Sequence, residues 1–115
     1  MATGYIESPA EPWQLHVRAL DLTTGALQWD YKQIGGRHYG AGLLSTAGGL
    51  IFAGDDQGIF TALDARTGKP LWHFNTGQTI SASPMTYSFK GKQYVAVEAG
   101  SNVIAFGLFD GETKP

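Results

Sequence analysis

Two short segments of this sequence carry residue types that bind cations or small ligands. The first is Asp55-Asp56-Gln57-Gly58, two adjacent carboxylates followed by an amide and a glycine. A calcium loop alternates its oxygen ligands and closes on a glutamate, which this segment does not do. A tight hairpin turn is therefore favoured there over a metal site. The second segment is Arg37-His38-Tyr39, flanked by Gly36 and Gly40. A guanidinium, an imidazole and a phenol can all donate hydrogen bonds to a ligand, and ordinary loop residues are the alternative. His16 and His73 lie within apolar runs, apart from each other and from His38, and read as surface residues. Ser81, Ser83 and Ser88 have no nucleophile-elbow context, so a Ser-His-Asp set has no support. Cysteine is absent, which removes disulfides, thiolate metal sites and a cysteine nucleophile but does not fix the compartment.

The elements that must position these residues repeat. Ala19-Leu20-Asp21-Leu22-Thr23-Thr24-Gly25, followed by Trp29, returns 43 residues later as Ala62-Leu63-Asp64-Ala65-Arg66-Thr67-Gly68, followed by Trp72. The same offset sets Ile104-Ala105-Phe106 under Thr61-Ala62-Leu63, and Tyr94-Val95-Ala96 under Ile51-Phe52-Ala53. A period in the low forties, filled with short apolar strands and Gly-rich turns, marks a β-propeller blade. The expected fold is all-β, with four-stranded antiparallel blades in an incomplete ring of about 2.7 blades, where closure takes about 4 to 8. Residues 1–14 read as an irregular segment, since Pro9 and Pro12 block helix and central strand. Residues 15–108 read as the partial propeller: the last two strands of one blade over 15–31, a complete blade over 41–74 and three strands of the next over 80–108. In that third unit the first strand is expected from Ile80 to Tyr87. Residues 109–115 read as a polar tail.

Composition agrees with sheet and turn. Glycine accounts for 16 of 115 residues, and only 16% are charged, with a formal net charge of -2. Lysine and arginine are scattered, so no basic patch speaks for nucleic acid or an anionic membrane. Every apolar run is too short to span a bilayer, and the first residues carry neither the basic nor the apolar region of a signal peptide.

The repeated Asp-x-x-Thr-Gly turn has a physical task. Asp21 and Asp64 are expected to accept backbone N–H bonds from their turns, with Thr24 and Thr67 doing so more weakly. Gly25 and Gly68 should hold positive φ, where a side chain clashes. Trp29 and Trp72 then fall at a fixed place on the following strand, and each is expected to be buried between its blade and the next; a stacking platform for a ligand is the other possibility. On this view Trp72→Ala costs a large core aromatic and Asp55→Ala far less. Arg37 to Tyr39 lie in the connector to an innermost strand, at one end of a propeller's central channel, where Glu98 could also face. One blade later Ser83-Pro84 falls under Gly40-Ala41. Small residues in both places suit crowding at the hub, or a close approach to something flat.

Three longer stretches carry a family resemblance: Gly40 to Gly54, Ala62 to Trp72, and Gly91-Lys92-Gln93-Tyr94-Val95-Ala96-Val97. They resemble the last blades of the pyrroloquinoline-quinone (PQQ) dependent alcohol dehydrogenases, over about residues 15–108. The resemblance implies an eight-bladed ring with PQQ lying over a Ca²⁺ ion in the channel. It also implies hydride transfer from alcohol to quinone, helped by an aspartate base, with electrons passing to a cytochrome c in the periplasm. The family's catalytic aspartate, calcium ligands, stacking tryptophan and cysteine pair lie upstream of the matched region. No residue here is therefore assigned catalysis or metal ligation, and the isolated chain is expected to bind no cofactor and to be inactive. Where many members place a tryptophan or polar residue near the cofactor, this sequence has Gly40; cofactor contact is assigned to Arg37, His38, Tyr39, Gly40, Ala41 and Gly42.

Three readings stand open at this point. The chain is part of such a dehydrogenase, or a non-catalytic propeller module working through its surfaces. Its missing blades come from the parent protein, from another chain or from self-association; in the last case a homotrimer would supply about eight blades and remove the open strand edges.

Overall fold

The computed structural model describes residues 14–35 and 40–107. The expected irregular start, the Arg37-His38-Tyr39 segment and the tail lie outside them, apart from Gln14. The described residues form nine strands: β1 (His16–Leu20), β2 (Leu27–Lys32), β3 (Gly40–Ser45), β4 (Leu50–Asp55), β5 (Ile59–Asp64), β6 (Pro70–Asn75), β7 (Met85–Phe89), β8 (Lys92–Ala99) and β9 (Asn102–Gly107). They build three antiparallel meanders, in the orders β1-β2, β3-β4-β5-β6 and β7-β8-β9. The chain is an open arc of propeller blades.

Side-chain alternation puts one face of each sheet against the next. Between the first two sheets, Val17 and Trp29 pack with Ala53 and Leu63, flanked by Ala19, Tyr31 and Ile51. Between the second and third, Phe52, Phe60 and Ala62 meet Val95, Val97 and Ala99, with Ile80 between them. Ile80 is not in a strand. β7 begins at Met85, five residues after the expected start, because Ile80 fills the space over Gly54, where a Cβ would lie 2.5 Å from its Cγ2. Its N–H donates to the Asp55 carbonyl at 3.1 Å.

The two Asp-x-x-Thr-Gly turns are built alike. Asp21 Oδ1 accepts from Thr23 and Thr24 N–H at 2.7 and 3.1 Å, and Asp64 Oδ1 from Arg66 N–H at 2.8 Å. Thr24 and Thr67 hydroxyls accept from the N–H two residues on, at 3.1 and 3.2 Å. Gly25 and Gly68 hold φ of 78° and 75°. The turns differ in what lies over them. Trp29 lies across Gly68, where a Cβ would fall 2.5 Å from its Cδ2 and Cε3, whereas nothing lies within 4 Å of a Cβ at Gly25. The indole Nε1–H donates to the Ala65 carbonyl at 2.9 Å, locking the first sheet to the second.

This pair of turns separates backbone strain from ring contact. Gly25→Ala should cost about 1 to 2 kcal/mol, the penalty of left-handed backbone alone. Gly68→Ala adds the displaced indole and should cost about 2 to 4 kcal/mol. Urea denaturation followed by tryptophan fluorescence checks the difference, and equal losses would remove the ring contact from the account.

Trp72 departs from the expectation of burial. It is 41% exposed, with Phe74 beside it at 43%. Its ring meets Phe60 and Phe106 edge-on, at centroid separations of 6.2 and 5.1 Å. Leu108 and Gly111, which the same offset sets where Ala65 and Gly68 meet Trp29, lie outside the described residues.

Candidate functional site

The loops of the arc segregate to two ends. One end carries the Asp-x-x-Thr-Gly turns and the Thr46–Gly49 turn, joined where Ala65 N–H donates to the Gly49 carbonyl at 2.8 Å. The other carries the connectors that lead into the innermost strands β3 and β7, together with the β4–β5 and β8–β9 turns. Asp55 bonds the described ends of both connectors.

Asp55 is 1% exposed. Its Oδ1 accepts from Gln57 and Ile59 N–H, both at 3.0 Å, closing its own turn. Its Oδ2 accepts from Gly35 N–H at 2.9 Å, gripping the connector from β2. The Asp55 carbonyl accepts from Gly58 and Ile80 N–H at 3.1 Å, which grips the connector from β6. One residue thus joins both connectors to the middle blade. The neighbouring contacts extend the stitch. Gln33 Nε2 donates to the Gly54 carbonyl at 3.2 Å, Thr79 Oγ1 to the Asp56 carbonyl at 3.0 Å, and Gly100 N–H to the Thr79 carbonyl at 2.9 Å. Asp55-Asp56 is a hairpin turn, and a buried one. Sequence reasoning missed its reach, because the partners Gly35 and Ile80 stand more than 19 residues away on either side. The only local signal was an aspartate opening a Gly-ended turn.

The other side of Asp55 faces the start of β3. Gly40, where β3 starts, lies opposite Asp55, yet Leu43 lies opposite Ala53, so three steps on β3 span two on β4. The extra residue is a bulge at Ala41-Gly42, the kind of irregularity that re-aims backbone at strand ends. Ala41 is half-buried against the larger core. Gly42 lies directly against the Ser83 side chain of the connector into β7, so a Cβ there would collide with Ser83 Oγ. The space over Gly42 is thus filled from within the chain, which is the crowded-hub arrangement. Pro84 is buried beside it.

The remaining candidates are dispersed. No group of three or more His, Cys, Asp or Glu side chains among the described residues is placed to hold a metal ion. His73 is exposed on β6 and Glu98 on β8. His16 and Arg18 bond Asp30 across β1 and β2, at 2.9 and 3.2 Å. Burial raises the Asp30 pKa, but the hydrogen bonds and charges of His16 and Arg18 outweigh it, and the carboxyl lies below its ordinary value. With both partners solvent-accessible, this trio adds little stability. No helix among the described residues is long and apolar enough to cross a membrane.

Antiparallel meanders joined by the Asp55 bonds and by a docked indole make an arc of propeller blades. Residues 33–95, more than half of the chain, match the model of the PQQ family described as the glucose/ethanol/alcohol dehydrogenase β-propeller domain, and the chain belongs to that family. It is 45% identical over 86 residues to quinoprotein alcohol dehydrogenase PedE of Pseudomonas putida, a match covering 73% of this chain and 13% of that protein. A quinoprotein ethanol dehydrogenase of Pseudomonas aeruginosa is 42% identical over 86 residues, with the same coverage. Among solved structures, quinohemoprotein alcohol dehydrogenase ADHIIG of Pseudomonas putida HK5 superposes with a TM-score of 0.70 at 33% identity, over 78% of this chain and 13% of that one. The Comamonas testosteroni quinohemoprotein alcohol dehydrogenase gives 0.68 at 33% identity, over 74% and 12%. The chain therefore spans about an eighth of the length of the relatives it matches.

Proposed function

We propose that this chain is part of the propeller wall of a PQQ-dependent alcohol dehydrogenase, with its connector end turned toward the cofactor. The observation that carries the reading is that Asp55, within the segment matching the family, bonds Gly35 on one side and pairs with the bulged start of β3 on the other. In this reading Arg37, His38 and Tyr39 line the channel mouth, with the Gly40-Ala41-Gly42 backbone beside them. The bound quinone supplies the redox chemistry and the protein supplies placement and charge. Calcium ligands and the catalytic base come from blades outside this chain, electrons leave to a cytochrome c, and the assembled enzyme works in the periplasm. Ser83 packed on Gly42 favours a structural role for that glycine, which leaves Arg37, His38, Tyr39, Gly40 and Ala41 for the contact.

The isolated chain tests the division of labour. Mixed with PQQ and Ca²⁺, the folded chain should give no ethanol-dependent dye reduction. Turnover under those conditions would mean that the chain holds its own base and metal ligands, and would overturn the proposal.

A further inference from the structure

The seam between the second and third sheets grows in residue size from the inner strand to the outer one. On β3 it is glycine against serine, with the Ser83 side chain filling the space over Gly42. On β4 it is glycine against an aliphatic group, Ile80 over Gly54. On β5 and β6 it is aromatic. Phe60 stacks on Phe106 with ring centroids 5.5 Å apart, and Trp72 and Phe74 meet the same ring at 5.1 and 5.3 Å. Blades that radiate from a common axis stand closest at the hub and farthest apart at the rim, so this gradient fills a wedge. The Gly42–Ser83 contact is its narrow end. Both residues are exposed there, yet the space over Gly42 is taken from within the chain, so a flat ring does not fit onto that glycine.

We propose that Gly42 and Ser83 are a positioning pair that sets the separation of the inner strands β3 and β7, and through it the width of the channel that seats the quinone. The channel half of this rests on the dehydrogenase reading. Neither residue touches the quinone; both act through the spacing of the strands. A methyl group added at Gly42 collides with Ser83 Oγ, and Ser83 Cβ would stand 3.1 Å from it, so turning the hydroxyl aside does not clear the space. The rings farther out are close-packed and resist compression, so the seam opens at the hub. Gly42 lies outside the left-handed region that favours glycine, so the added methyl tests the contact and not the backbone.

Two measurements test the pair. In the full chain, Gly42→Ala should lower the urea midpoint by about 0.5 to 1 M, and adding Ser83→Gly should recover part of that loss. Losses that simply add overturn the contact. The second measurement places residues 33–95 in the Pseudomonas aeruginosa quinoprotein ethanol dehydrogenase and titrates PQQ, with Ca²⁺ present, by protein fluorescence. Gly42→Ala should weaken quinone binding by about tenfold, and the double variant should regain most of the affinity. A double variant that stays weak although its urea midpoint recovers overturns the proposal, because Gly42 then meets the quinone directly. So does a Gly42→Ala graft of unchanged affinity. A folded, unsubstituted graft that binds no quinone overturns the dehydrogenase reading and the channel half with it, while the melts of the full chain still decide the spacing.

Discussion

Trp29→Ala lowers the stability of the folded chain by about 3 to 5 kcal/mol, the range for deleting a large buried aromatic. Trp72→Ala, at the equivalent place one blade later, should cost only about 1 to 2 kcal/mol, in line with a half-exposed ring. The contrast follows from the contacts. Trp29 is 9% exposed, lies on Gly68 and donates to the Ala65 carbonyl at 2.9 Å. Removing it opens a cavity, and the Ala65 carbonyl loses its partner. Trp72 meets other aromatic rings but is 41% exposed. Urea melts of both variants followed by circular dichroism decide the matter. A Trp72 variant as damaged as the Trp29 variant would mean that Trp72 is packed as fully as Trp29.

Asp55→Ala should cost a comparable 3 to 5 kcal/mol, roughly, because three backbone N–H groups lose a charged acceptor at a residue nine-tenths or more buried. This reverses the sequence expectation that Asp55 matters far less than Trp72. Asp55→Asn should cost about 1 to 3 kcal/mol, since an amide oxygen can keep the turn bonds while its NH₂ faces the Gly35 N–H. Hydrogen exchange adds a second readout. Protection should fall in the Asp55 variants at Gly35 and Ile80 as well as in the turn itself, since all three segments share the one residue. Loss of protection confined to residues 57–59 would reduce Asp55 to a local turn former.

Much of the fold was legible because its signals are short-range. The Asp-x-x-Thr-Gly turns, the strand alternation and the Gly positions each depend on residues within one hairpin, and they predict blades with little ambiguity. What escaped the sequence depends on partners that periodicity does not name. A single offset of 43 put Tyr94-Val95-Ala96 under Ile51-Phe52-Ala53. The pairing Ala96 with Ala105, against Phe52 with Ala62, shows β8 shifted by one further residue, so Val95 stands where Ile51 does. A slip of one exchanges the two faces of a strand, which is why Val95 and Val97 are core and Tyr94 is not. The reach of Asp55 was invisible for the related reason that Gly35 and Ile80 come to it from different connectors. The candidate contact residues Arg37, His38 and Tyr39 were chosen by place in the connector; the structure describes the grip at Gly35 on one side and the bulge at Gly42 on the other.

The central claim is that residues 33–95 act as blades of a PQQ-dependent alcohol dehydrogenase, and a graft tests it most directly. These residues would replace the matching segment in the Pseudomonas aeruginosa quinoprotein ethanol dehydrogenase, and the chimera would be assayed for ethanol oxidation with PQQ and Ca²⁺ present. The folded chimera should keep quinone binding and turnover, and should lose quinone affinity when Arg37 and His38 are both changed to Ala. A folded chimera that no longer binds the quinone, or one whose affinity is untouched by the double change, would contradict it.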